Sequence, residues 1–180
     1  MATETKGIVF GRVELHRGVS RLNMSAFYFS AFITICLLSF VNLVQPYLLT
    51  EILKVPLAEQ GNVTGTVLFW HELVIIFVIG LAGSLSDQVG RRLIFAGSFL
   101  VVAVGYVLMI QSGMVWHLVF FRMIFAIGAA GATSMLSTVL ADYAVDRDRG
   151  KANGIQGVMN GLGAMTAVFI LLKMPEWFKG

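Results

Sequence analysis

This sequence has little charge. Asp, Glu, Lys and Arg make up only 13% of its 180 residues, against about 25% in an average soluble domain. With 57% hydrophobic residues and a mean hydropathy of +0.82, a water-soluble globule is excluded. Cysteine occurs once, as Cys36 inside an apolar run, where a thiol behaves as a small hydrophobe and says nothing about redox compartment. Strand-like alternation of polar and apolar residues is missing, which argues against a membrane barrel. The H-E-x-x-H zinc motif fails, because His71-Glu72 is followed by Ile75 where the second histidine belongs. No G-x-S-x-G run provides a serine nucleophile. The glycine-rich stretch Gly154 to Gly163 has no preceding strand and no Lys-Ser or Lys-Thr, so it is not a phosphate loop. An enzyme is not expected, and neither a metal nor a cofactor is called for.

What the chain does have is length without charge. Five apolar stretches, 24–49, 64–85, 92–111, 115–140 and 154–173, each match the roughly 20 helical residues that cross a bilayer core. The fold class is an all-α multi-pass helical bundle, with a polar segment 1–23 before it and a short end, 174–180, after it. That first segment is too polar, and the next run too long and without a small-residue cleavage site, for a removable signal peptide. The first helix is expected to stay as a signal anchor.

Lysine and arginine set the orientation. Nine of them, Lys6, Arg12, Arg17, Arg21, Arg91, Arg92, Arg147, Arg149 and Lys151, fall on one side, and Lys54, Lys173 and Lys179 on the other. The N-terminus is therefore expected in the cytoplasm of a cell membrane and residue 180 outside. Scattered over separate loops, these cations form no patch for nucleic acid. Two N-x-[ST] matches, at Asn62 and Asn23, lie against the membrane and on the cytoplasmic side, and both are discounted.

Polar residues inside the runs are the candidates for function. Ser39, Asn42 and Gln45 share one arc of the first helix, and Pro46 frees the Asn42 carbonyl. Unpaired backbone at membrane depth needs protein or water against it, so this notch either lines a cavity or joins two helices. Glu72 stands about 13 Å below the outer end of the second span and Arg122 about 10 Å below that of the fourth, at about 1.5 Å per residue. They are an acid and a base at similar depth, expected either to neutralise each other or to take part in solute or proton binding. The third helix, from Leu93 to Ile110, has Tyr106 as its sole ionisable group and reads as lipid-facing. Gly128 on the fourth helix, and Gly157 and Gly161 on the fifth, have the spacing of close helix contacts.

The segment from Gly83 to Arg92, Gly-Ser-Leu-Ser-Asp-Gln-Val-Gly-Arg-Arg, fits G-x-L-[AS]-D-x-x-G-R-[RK] at every defining position. The chain resembles the major facilitator superfamily of transporters here, in the loop between its second and third helices. Arg122 to Ala130 is similar to the family's fourth-helix pattern R-x-x-x-[AG]-x-G-x-[AG], and Asp142 with Arg149 to Gly154 to the run that opens the fifth. The resemblance implies alternating-access transport of a small solute, with Gly83, Asp87, Gly90, Arg91, Arg92 and Asp142 forming a conformational latch. In it Asp87 closes the second helix and Arg91 reaches Asp142. Separately from the resemblance, a solute or movement that parts Glu72 from Arg122 would let Glu72 load a proton, which makes H+ the candidate coupling ion. Family members have twelve helices, so the five here imply further C-terminal helices or a second chain. The alternative is an assembly partner or truncated fragment that keeps the fold without transporting. Leu162, Met165 and Thr166 depart from the drug-antiporter pattern of the fifth helix.

Overall fold

The computed structural model describes residues 8–171 and 173. The expected outer end, 174–180, and the cations Lys6 and Lys179 lie outside the described residues. Helix α1 spans Arg21–Tyr47, and the Ser20 hydroxyl accepts the Asn23 N–H at 3.1 Å to cap it. Pro46 sits in its last turn, after which Leu48–Ile52 widens into a π-type turn. Helix α2 runs from Leu57 to Val89, 33 residues, or about 50 Å. It starts seven residues before the apolar run it contains, because Pro56 fixes the entry angle and Glu59 complements the dipole in the first turn. Helices α3 (Arg91–Ile110), α4 (Val115–Tyr143) and α5 (Arg149–Thr166) follow, α5 ending in a π-type turn at Ala167–Leu171.

Among the described residues, α1 through α4 are long and apolar enough to cross a membrane. The glycine-rich α5 is the shortest, at 18 residues, and lies along α1. The centre of the bundle is α4, 56% of whose apolar window is buried, against 22% for α2 and for α3. It packs on α3 through missing side chains. A Cβ on Gly105 would stand 2.8 Å from the Phe125 backbone, and one on Gly128 would stand 2.7 Å from the Ser98 carbonyl and the Val102 nitrogen.

Two sequence expectations about packing change. The third helix is lipid-facing over only part of its surface, because Ser98, Val102, Gly105 and Met109 are buried while Leu93, Leu100, Val107 and Ile110 are exposed. On α5 the close glycine is Gly163, whose Cβ would collide with the Phe32 carbonyl of α1. Gly157 and Gly161 have open space instead.

The segment before α1 is also built. Strands β1 (Val9–Phe10) and β2 (Val13–Glu14) form an antiparallel hairpin with Phe10 opposite Val13. It sits at the end of the bundle that carries Gly90, where Val13 and Leu15 join Met24, Phe27, Leu136 and Leu140 in one apolar cluster. A second cluster, containing Val41, Leu48, Val67, Val102, Leu118 and Phe125, fills the part toward Gly113.

Candidate functional site

Gly90 alone separates α2 from α3. Its φ of 101° is open to glycine and strained for other residues, and so sharp a turn sets the last turn of α2 beside the first turn of α3. Asp87 and Arg91 face one another across it, 3.6 Å apart. Each sits at the wrong end of its helix dipole: an acid belongs at an N-terminus and a base at a C-terminus. Their placement thus costs helix stability and is compensated by ion pairing. Arg91 also pairs with Asp142 in the last turn of α4 and donates to the Thr138 carbonyl at 3.3 Å. One guanidinium therefore ties α2, α3 and α4 together. Among the described residues Asp87 makes no capping hydrogen bond; the residue at the end of α2 is Gly90, whose N–H donates to the Ser86 carbonyl at 3.0 Å. Gly83 has open space around it and Arg92 is exposed.

Beside this cluster lies a cleft of about 590 Å³, which the sequence did not reveal. Arg91, Arg92 and Asp142 form its polar wall, Asn23 and Ser30 come from α1, and Phe27, Phe95 and Met135 line its apolar side.

The second polar locus is at mid-bundle. Arg122 is 1% exposed, and its Nη2 donates to the side-chain oxygen of Asn42, which joins α4 to α1. Nε and Nη1 have no hydrogen-bond partner among the described residues, and nor does Nδ1 of the buried His71. The guanidinium lies 5.3 Å from the centre of the Phe125 ring, and His71 stacks on the same ring at 6.1 Å. Tyr106 packs edge-on to Phe125 and donates to the Leu37 carbonyl. The expected Glu72–Arg122 ion pair is not formed: Glu72 is exposed, and among the described residues Arg122 has only the neutral Asn42. Similar depth was a poor guide because it leaves rotation about the helix axis undefined, and His71, not Glu72, turns inward. Gln45 is buried and Asn42 exposed, so the polar arc on α1 straddles the bundle edge. Among the described residues no group of three metal-ligating side chains occurs.

A third charged cluster, unseen in the sequence, ties the hairpin to the α4–α5 connection. Asp148 is buried; it accepts the Glu14 N–H at 2.9 Å and pairs with Lys151 at 2.6 Å. The hydrogen bond from Lys151 and the Glu14 amide hold its carboxyl below its ordinary value.

The sequence profile of the Major Facilitator Superfamily matches residues 27–175. The chain belongs to that family. It is 25% identical over 159 residues to magnetosome protein MamH of Paramagnetospirillum magneticum, covering 84% of this chain and 37% of that protein. Magnetosome protein MamZ of the same organism is 29% identical over 143 residues, 74% of this chain and 22% of its own length. Citrate exporter 1 of Aspergillus niger is 36% identical over 94 residues, half of this chain and 18% of the exporter. The chain thus spans 22–37% of the length of the two magnetosome relatives.

Proposed function

We propose that this superfamily bundle is part of a secondary-active transporter that moves a small solute by alternating access, with Asp87, Arg91 and Asp142 as the latch at its inner end. The observation carrying the reading is Arg91, which spans two carboxylates on two other helices at the expense of both helix dipoles. A partly exposed ion pair adds little to stability. Such an arrangement makes sense as a contact that is made in one state and broken in another. Closing the inner end favours the outward-facing state. The solute path lies at mid-bundle near Asn42, Gln45, Glu72 and Arg122, and further helices, from a longer chain or a second one, complete it.

In a complete transporter, Asp87→Asn is expected to lower transport by roughly 5- to 150-fold, the range of a 1–3 kcal/mol coupling, with membrane insertion intact. Unchanged transport would defeat the latch. We further propose H+ as the coupling ion and Glu72 as its carrier, because an acid set at mid-helix in a membrane-spanning segment is rare and marks a pathway or a proton relay. Glu72→Gln should abolish pH-dependent accumulation; if accumulation kept its normal pH dependence, Glu72 would carry no proton.

The cationic bias puts the Gly90 end in the cytoplasm. Cysteines in place of Arg147 and Leu57, both well exposed, should label from the cytoplasmic and external sides respectively. The reverse pattern would invert the assignment.

A further inference from the structure

The hairpin before α1 grips the chain immediately beyond the latch acid. The His16 N–H donates to the Tyr143 carbonyl at 2.9 Å, the Val145 N–H donates to the Glu14 carbonyl at 3.1 Å, and Leu15 bridges Ala144. Ala144 is thereby held in an isolated antiparallel bridge to Leu15, and it leaves α4 in an extended conformation, φ −96° and ψ 133°. The anchor beneath is apolar: Val13 and Leu15 are buried to 0% and 1% exposure among Phe27, Leu136 and Leu140. Above it, Arg147 pairs with Glu14 at 2.8 Å, and Asp148 ties Glu14 to Lys151.

The last turn of α4 is therefore held from several sides. Arg91 takes the Thr138 carbonyl and the Asp142 carboxylate, Arg149 takes the Ala141 carbonyl at 3.0 Å, and His16 takes that of Tyr143. A helix end exposes up to four unpaired carbonyls and frays unless they are satisfied. An exposed ion pair adds too little to prevent fraying alone. The hairpin has the buried surface to do so.

We propose that the N-terminal hairpin is the positioning element of the latch, holding the end of α4 so that Asp142 stays within reach of Arg91. This rests on the latch reading given above. Undocking the hairpin lets the last turn of α4 move and opens the cleft beside Arg91 without any change in the latch residues themselves.

The sharpest probe is a backbone one. The His16 side chain is exposed, so His16→Pro removes the N–H that Tyr143 receives, whereas His16→Ala keeps it. Leu15 before it is already extended, as a residue preceding proline must be. The full chain carries Cys36→Ala and a reporter Val139→Cys in the wall of the cleft, is placed in lipid nanodiscs, and is labelled with a water-soluble maleimide. His16→Pro, and Leu15→Ala as an independent loosening of the anchor, should each speed labelling by about fivefold or more, the lower bound for a coupled contact. His16→Ala should not. Asp142→Asn should also speed labelling, and His16→Pro with Asp142→Asn should do little more than either, because both act on one contact. Helix content and a monodisperse elution profile separate opening from misfolding. If Asp142→Asn leaves labelling unchanged, the latch fails and the positioning role falls with it. If Asp142→Asn opens the cleft while both hairpin variants leave it closed, the latch stands and the positioning role is overturned. Equal acceleration by His16→Ala and His16→Pro overturns it too.

Discussion

Two arginines show how differently one side chain is treated at the two polar loci of this bundle. Arg91, about a third exposed, has two carboxylates and a carbonyl. Arg122, nearly fully buried, has one neutral amide oxygen and two unpartnered nitrogens among the described residues. Stability alone would favour the reverse, since desolvation is severe inside and small at the edge. The edge charges are satisfied, so they can act as a reversible fastening. The interior charge is underprovided for among the described residues, which fits the binding role proposed for Arg122.

The strongest way to break this comparison is to remove the interior cation. Arg122→Met preserves an unbranched side chain and removes the buried charge. Replacing a buried ion by a well-packed apolar group is often neutral or stabilising, so the thermal midpoint of the chain in nanodiscs should hold or rise. Transport by the complete protein should fall by roughly 5- to 150-fold, on the scale of a functional coupling. A clear drop in the midpoint would mean that Arg122 holds the bundle together, and the contrast with Arg91 would vanish.

A smaller effect separates the packed face of α4 from the open face of α5. At Gly128 an added methyl meets backbone of α3 at 2.7 Å, and backbone yields poorly, so Gly128→Ala should destabilise by about 1–3 kcal/mol. At Gly157 the same methyl meets nothing, and Gly157→Ala should stabilise by about 0.4–1 kcal/mol through the unfolded chain. Thermal unfolding of both variants in one detergent checks the pair. Equal effects would show that glycine spacing, and not contact, governs these positions.

That difference also marks how far the sequence could be read. Hydropathy revealed where helices cross, because apolar length is a one-dimensional property, and the loop from Gly83 to Arg92 was legible because its acid, turn glycine and bases lie within ten residues. Facing directions were not. Gly157 and Gly161 have the spacing of a contact, yet Gly163 makes it, and Glu72 shares the depth of Arg122 while His71 turns inward. Both errors concern rotation about a helix axis, which depends on neighbours far along the chain. The seven residues that α2 adds before its apolar run were signalled by Pro56 and Glu59, but a search for membrane runs passes over polar helix. The hairpin was hidden for another reason. Its two strands are two residues each, too short for alternation to register, and the residue that Leu15 bridges, Ala144, lies more than 125 residues away.

The smallest expected effect is a pH dependence confined to that hairpin, and it sharpens the contrast between edge charges that fasten and an interior charge that does not. Asp148 faces Lys151 on α5, Arg147 beside it on the connection, and the Glu14 amide of β2. The hydrogen bond from Lys151 comes first among the causes that lower its pKa, followed by the Glu14 amide and the charges of Lys151 and Arg147, with burial opposing them. A carboxyl whose folded pKa is depressed contributes stability that is fully present above its unfolded value, about 3.9, and lost as pH falls through the lower folded value. Docking of the hairpin should therefore be constant across neutral and mildly acidic pH and weaken only in strong acid. Asp148→Asn removes the charge at every pH and should bring the loosened state to neutral pH. Hydrogen exchange at the His16 and Val145 amides, corrected for intrinsic rate, reads the docking directly, because both protons are held between hairpin and connection. Protection that stayed flat to acid in the native chain, or that Asp148→Asn left untouched at neutral pH, would show that Val13 and Leu15 hold the hairpin unaided and that the charges above them are incidental.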